Sequence, residues 1–424
     1  MPDVVFRSSA VLLLLALALA STREGIAARL GRSANLSIIN KAEALDPSNP
    51  NIAVGASQVL ADLPEAIPGS VISALEAATR EGPNRSMNWA LLGEADEAAG
   101  DKMRAEAAFQ RSINLFPLSP KINWMYANFL IRSGKGAAAV ATLRLAIEGD
   151  PGLRPGAFDL AWRAGLPADQ ILAAVPRRAE TLSAYLDYLS RTNRLDAAWK
   201  VWSLLLAAPE PPDFGAALHY FDSLMYARQV DGMLGVWSDL AQRYPEKILA
   251  RVSAANLIVN GGFEAIPLNG GFDWRLAAIE GAEMYLDSSV AYDGTRSLCI
   301  FFDGADNLDF THVVQYVPVE PDTAYRFSAY IRAQGITTDS GPRFAIYDPF
   351  AAPTDNPHER NRSLLPLETP GIIGTSPWQP QQMDFSTGPQ TRLIVVQLRR
   401  SPSHKIDNRI GGTLWVDSIA LTKR

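Results

Sequence analysis

The chain has 424 residues, 47% of them hydrophobic and 20% charged, with a formal net charge of −6. That length suffices for two or three domains with sizeable cores. The acidic balance, without any basic block, argues against a nucleic-acid binder, and the single cysteine, Cys299, excludes an internal disulfide or a multi-cysteine metal site.

In chain order, the first segment reads as a secretory signal peptide over residues 1–20. Arg7 precedes an apolar run from Ala10 to Ala20, and Ala18-Leu19-Ala20 is a small-x-small cleavage signal before Ser21. The run is too short for an ordinary transmembrane helix. An uncleaved N-terminal anchor is the alternative, and it is the one route to a membrane that the sequence offers. The mature chain is therefore expected to be exported, in the periplasm or associated with the cell envelope.

Residues 21–252 carry a helical period. Pro83, Pro117 and Pro151 recur every 34 residues, as do Gly100 and Gly134, Ala105 and Ala139, and Leu75, Phe109 and Leu143. A fixed period in this range signals stacked supersecondary units. Within one unit Gly100 ends the first helix, because glycine takes left-handed dihedrals freely. Ala105 and Ser112 are small where helices approach, Phe109 fills the groove, and Pro117 stops the second helix. Earlier, Pro64 and Pro68 break a helical pair. After Pro151 the phase slips around Pro155, Pro167 and Pro176, then returns in Ala198 and Gly232, Trp202 and Val236, and Pro211 and Pro245. Trp162, Trp199, Trp202 and Trp237 fall at helical spacing and are expected in the core.

Near Asn256 an alternation of period two replaces the helical period, with Gly, Pro, Asn and Asp between short apolar runs. Leu298–Phe302, Val313–Val319, Tyr325–Ala333, Phe344–Tyr347, Leu393–Arg399 and Thr413–Leu421 read as strands of a sandwich or jelly roll. The proline-rich segment from Ala351 to Trp378 reads as a long surface loop. In Tyr325–Ala333 the core face is Phe327, Ala329 and Ile331, which turns Tyr330 and Arg332 outward. The same alternation turns Arg343 and Tyr347 outward in the next strand, and Gln397 and Arg399 in Leu393–Arg399. These six residues are expected together on one sheet. Aromatic faces with planar donors suit the faces and hydroxyls of a sugar, and arginine also suits an acidic glycan.

Trp89-x2-Leu92-Gly93, then Ala105-x3-Phe109, then Pro117, resembles the tetratricopeptide repeat, with Asp96 where that family has Tyr. Asn256 to Glu264, Tyr292 to Leu298 and Leu414 to Leu421 together resemble carbohydrate-binding modules with a galactose-binding-like jelly roll. That resemblance implies a structural calcium ion, with Glu264 and Asp417 supplying carboxylates and Asp293 as a further ligand candidate. Hard cations take several oxygen ligands of this kind.

Catalytic motifs are not evident. His219, His312, His358 and His404 are scattered, and His358-Glu359-Arg360-Asn361-Arg362 lacks the second histidine of a zincin. The expected architecture is multidomain, α then β. A signal peptide (1–20) precedes an α-solenoid of tetratricopeptide-like helix pairs (21–252) and a β-sandwich jelly roll (253–424). The expected function is a non-enzymatic exported adaptor, binding a protein partner through the repeats and a glycan through the jelly roll, in cell-surface polysaccharide assembly or export. The alternatives are a protein of polysaccharide breakdown and a structural envelope protein whose jelly roll binds protein.

Overall fold

The computed structural model describes residues 2–61, 68–253, 255–351, 366–406 and 408–424. Packing divides the chain into two compact units, Met1–Tyr188 and Leu189–Arg424. Helix gives way to strand elsewhere, between Arg251 and Arg275.

The first unit is helical. It holds α1 (Pro2–Leu30), α2 (Leu36–Leu45), α3 (Pro50–Ala61), α4 (Pro68–Glu81), α5 (Ser86–Ala98), α6 (Lys102–Leu115), α7 (Pro120–Arg132), α8 (Gly136–Gly149), α9 (Arg154–Arg163), α10 (Ala168–Ala174) and most of α11 (Ala179–Arg191). These are tandem helical pairs, as the 34-residue period predicts. Asp101 and Ser119 cap α6 and α7 by accepting from the amides of Arg104 and Ile122. Gly100 and Gly134 have φ of 89° and 76°. There the amides of Asp101 and Lys135 return to the carbonyls of Asp96 and Leu130, which closes each helix. Gly93 lies against Phe109, and a Cβ at Gly93 would stand 2.8 Å from that ring. Phe109 in turn packs on Tyr126 and Phe129, with centroids 5.6 and 5.2 Å away.

Helix α1 runs unbroken past Ala20, and its Ala27 and Leu30 pack with Ile39, Ala42 and Ile52. No helix among the described residues is long and apolar enough to cross a membrane. Pro64 and residues 352–365 of the proline-rich segment lie outside the described residues.

Among its described residues the second unit contains α12 (Leu195–Ala207), α13 (Phe214–Tyr226), α14 (Val230–Arg243), α15 (Pro245–Ile248) and ten strands. The strands are β1 (Arg275–Leu276), β2 (Ala282–Asp287), β3 (Ser297–Asp303), β4 (Phe310–Pro318), β5 (Ala324–Ile336), β6 (Arg343–Tyr347), β7 (Leu367–Glu368), β8 (Gly374–Ser386), β9 (Leu393–Arg400) and β10 (Gly411–Lys423). They form two antiparallel sheets, ordered β1-β4-β9-β6-β7 and β2-β3-β10-β5-β8. The core between them includes Phe263, Trp274, Ile300, Phe302, Phe327, Ile331, Phe344, Val396 and Leu414. This is the expected jelly-roll sandwich, and all six expected strands are present.

Two differences from the sequence reading have physical causes. The segment expected to be loop through Trp378 instead opens the long strand β8 at Gly374. Pro377 and Pro380 obscured it, and they are tolerated because β8 is an edge strand. Trp202 is fully buried, but Trp199 is 57% exposed, so the tryptophans do not share one face of α12.

Within this unit α13 and α14 pack against the loop that enters β1. The Phe272 ring stands edge-on to Phe221 at 4.8 Å and to Trp237 at 5.7 Å. Gly271, at φ 62°, lies directly against Trp237, where a side chain would collide with the indole. Buried Asp273 pairs with Arg251 at 3.0 Å and also accepts from the amides of Leu268 and Trp274. Arg275 pairs with Asp222 on α13 at 2.5 Å. Because Phe272 is a fully enclosed aromatic, Phe272→Ala is expected to cost about 3–5 kcal/mol of stability. Urea denaturation followed by near-ultraviolet circular dichroism measures this. A loss below about 0.5 kcal/mol, the ordinary surface range, contradicts the packing.

Candidate ligand-binding faces of the sandwich

Alternation along β9 buries Ile394, Val396 and Leu398 in the core and turns Val395, Gln397 and Arg399 to the other side. Register then decides which neighbours share that outer face. Val395 lies between Tyr316 of β4 and Tyr347 of β6, and Gln397 lies between Val314 and Ala345. Arg399 stands opposite Arg343. Four of the six expected residues, Arg343, Tyr347, Gln397 and Arg399, are therefore gathered on the sheet β1-β4-β9-β6-β7.

Charge on this face is arranged around one carboxylate. Glu368 of β7 lies 3.3 Å from Arg343 Nη1 and 3.6 Å from Arg399 Nη1. Arg399 also donates to Ser401 Oγ at 2.9 Å, while its Nε is buried without a hydrogen-bond partner. Two guanidinium groups bracketing one carboxylate leave a net positive charge on the exposed edge. Gln397 is 9% exposed and its amide donates to the Thr311 carbonyl at 3.1 Å, so it stiffens the face more than it presents a free amide. Burial pushes the Tyr347 phenol above the ordinary range. Burial does the same to Tyr316, with Asp222 and Tyr226 adding to the shift and Arg275 opposing it. The Arg275 guanidinium covers the Tyr316 ring at 5.0 Å. Tyr316 was not singled out from sequence, although Val313 and Val317 on the core face already turn it outward.

Tyr330 and Arg332 do not join this group. They sit on β5, opposite Asp417 and Trp415 of β10, in the other sheet. Alternation sets whether a side chain points in or out but says nothing about which sheet a strand enters, and the 337–342 connection carries the chain from one sheet to the other. The expectation that Arg332 and Arg343 are near neighbours is thereby corrected. On their own sheet, Tyr330 is stacked under Tyr292 with centroids 3.6 Å apart, and Trp378 meets Tyr292 edge-on at 5.9 Å. Arg332 lies over the Trp415 ring at 5.3 Å, and Trp415 Nε1 donates to Asp287 at 2.8 Å.

Glu264 and Asp417 converge on the loop between β2 and β3. Glu264 accepts from the amides of Thr295 and Arg296 and from the Thr295 hydroxyl. Asp417, fully buried, accepts from the amides of Tyr292, Asp293 and Ser418 at 2.8, 3.1 and 2.6 Å. Gly262 separates the two, since a Cβ there would lie 3.7 Å from Asp417 Oδ1 and 3.9 Å from Glu264 Cγ. Burial pushes the Asp417 carboxyl up and the Glu264 charge adds to that, against the three amides. For Glu264 burial acts in the same sense, but the Thr295 hydroxyl and the amides hold its carboxyl below the usual range. Asp293 enters through its main-chain amide, while its own carboxylate accepts from Gly294 at 2.9 Å.

Among the described residues no three His, Cys, Asp or Glu side chains are grouped to hold a metal. The two neighbouring carboxylates are met by main-chain amides and the Thr295 hydroxyl, and Asp417 is buried without a cationic partner among the described residues.

No protein-family model matches this chain, and no curated protein does. Parts of it match solved structures. A family 16 carbohydrate-binding module-2 is 22% identical over 39% of this chain and 99% of its own, at a TM-score of 0.26. MamA is 19% identical over 33% of this chain and 84% of its own, at 0.29. YrrB, described as a TPR protein with an unusual peptide-binding site, is 21% identical over 43% of this chain and 80% of its own, at 0.28. These are likenesses of fold.

Proposed function

We propose that this chain is an exported, non-enzymatic adaptor that holds a glycan on the outer face of the sheet β1-β4-β9-β6-β7. Its helical pairs would hold a protein partner, as such repeats commonly do, in the assembly or export of cell-surface polysaccharide. The observation that carries the glycan reading is the placement of Tyr316 and Tyr347 on either side of Val395, beside the Arg343–Glu368–Arg399 cluster. Half-buried aromatic faces take the apolar faces of sugar rings. Guanidinium donors take hydroxyl pairs or a sugar carboxylate. The export reading rests on Arg7 and the apolar run ending at Ala20.

In this reading Glu264 and Asp417, with Asp293 nearby, hold a structural calcium ion that offsets the repulsion between the two carboxylates and fixes the loop bearing Tyr292. The chemistry such an ion supplies is rigidity.

Two outcomes are expected. Arg343→Ala and Tyr347→Ala should each weaken binding to a glycan selected from an array. The loss for Arg343 is about 1.5–3 kcal/mol for a charge-assisted bond. Arg332→Ala, on the other sheet, should bind as the parent does. Isothermal titration measures all three, and a parent that binds no glycan on the array would instead favour a protein-binding envelope component. Separately, EDTA should lower the melting temperature of the intact protein and added calcium should restore it, because a metal bound only by the folded state stabilises by mass action. Asp417→Ala should abolish that response. A melting curve indifferent to both EDTA and calcium means that main-chain amides alone hold these carboxylates.

A further inference from the structure

Helix α13 presents Asp222 and Tyr226 four residues apart, hence on one side of the helix. Asp222 is tied to β1 through Arg275, and Arg275 lies over Tyr316. Tyr316 is thus the member of the glycan face nearest the helix, and Tyr347 stands two strands farther on, about 10 Å at ordinary strand spacing. Tyr226 is 82% exposed, so its ring does not serve the helix core.

On the same side of α13 a cavity of about 520 Å³ opens, lined by Ser190, Arg191, Asn193, His219, Asp222 and Tyr226. The Ser190 hydroxyl is buried there without a hydrogen-bond partner among the described residues. A buried polar group left unpaired costs stability, and a ligand group that reaches it recovers part of that cost.

We propose that the glycan site is composite: helix α13 adds, with Tyr226 and the adjoining cavity, a further sugar subsite continuous with Tyr316 and Tyr347, so the occupant is an extended oligosaccharide. The proposal rests on the glycan reading above and deepens it. Among the described residues the wall carries one carboxylate, that of Asp222, already paired with Arg275, and the guanidinium of Arg191, so it suits a neutral or acidic saccharide better than a basic peptide. The wall sets the open Tyr226 ring beside the polar side chains of Ser190 and Asn193. These are the partners a hydroxyl-rich ligand uses.

The test uses the intact protein on an array of β-1,4-linked glucan, galactan and xylan and α-1,4-linked galacturonan oligosaccharides, from disaccharide to hexasaccharide. For whichever series binds, Tyr226→Ala should weaken the hexasaccharide about three- to tenfold, the value of one aromatic contact, and leave the shortest bound member unchanged. Tyr347→Ala should weaken both. Melting temperature checks that Tyr226→Ala leaves the fold intact, as an exposed substitution should. If Tyr226→Ala binds the hexasaccharide like the parent while Tyr347→Ala does not, the composite site is wrong and the sheet alone is the glycan site. If no oligosaccharide binds, both readings fall.

Discussion

The second unit depends on how Phe272 is held. Its ring meets Phe221 of α13 and Trp237 of α14 edge-on, and Gly271 lets the loop come close enough for that. Aromatic edge contacts add about 0.5–1.5 kcal/mol each beyond the area they bury. The greater consequence is positional. The residue three places on, Arg275, opens β1, so the wedge fixes where that strand joins β4. Arg275 then binds Asp222 and covers Tyr316. On the far side of the wedge, the buried Arg251–Asp273 pair holds the end of the helical segment against the same loop. Breaking one partner of such a pair leaves an uncompensated buried charge, so the junction tolerates little change. The helix α13 is therefore a wall of the sandwich, and it borders the face on which the glycan is proposed to lie.

Much of this was legible in the residues. The 34-residue period located the helical pairs of the first unit, and Gly100 and Gly134 do end helices with positive φ. Alternation gave the correct inward and outward faces for β5, β6 and β9. The pairing of strands into sheets was not legible, because it is set by long-range register and not by local pattern. That is why Tyr330 and Arg332 part from Arg343, Tyr347, Gln397 and Arg399. The strand read as ending at Arg399 runs one residue further, to Arg400, which the period of Ile394, Val396 and Leu398 carries inward. Arg400 is fully buried and satisfied by the carbonyls of Leu308, Ser340 and Asn408 and by the Thr338 hydroxyl. Gly270, Gly271 and Phe272 carry no local sign of their role, since a wedge is defined only by what it meets.

The two outer faces of the sandwich are chemically distinct. One sets two arginines around Glu368 beside half-buried tyrosines. The other buries its aromatic faces against one another, Tyr292 on Tyr330 and Arg332 on Trp415. On the first face Arg275 likewise covers Tyr316, and Tyr347 is the ring with no stacked side chain among the described residues. This difference, more than the count of aromatics, is why the first face carries the functional reading. The loop bearing Tyr292 is pinned by Asp417 and Glu264, so the state of those carboxylates bears first on the second face.

The central claim is that α13, α14 and the sandwich form one cooperative body within the second unit. Native-state hydrogen exchange in increasing urea tests it most directly, because each amide reports the opening that exposes it. The account predicts that amides of α13 and α14 merge with those of β4 and β9 into one unfolding isotherm, with the same free energy and urea dependence. Exchange of α13 and α14 at a markedly lower free energy, while β4 and β9 stay protected, would contradict it.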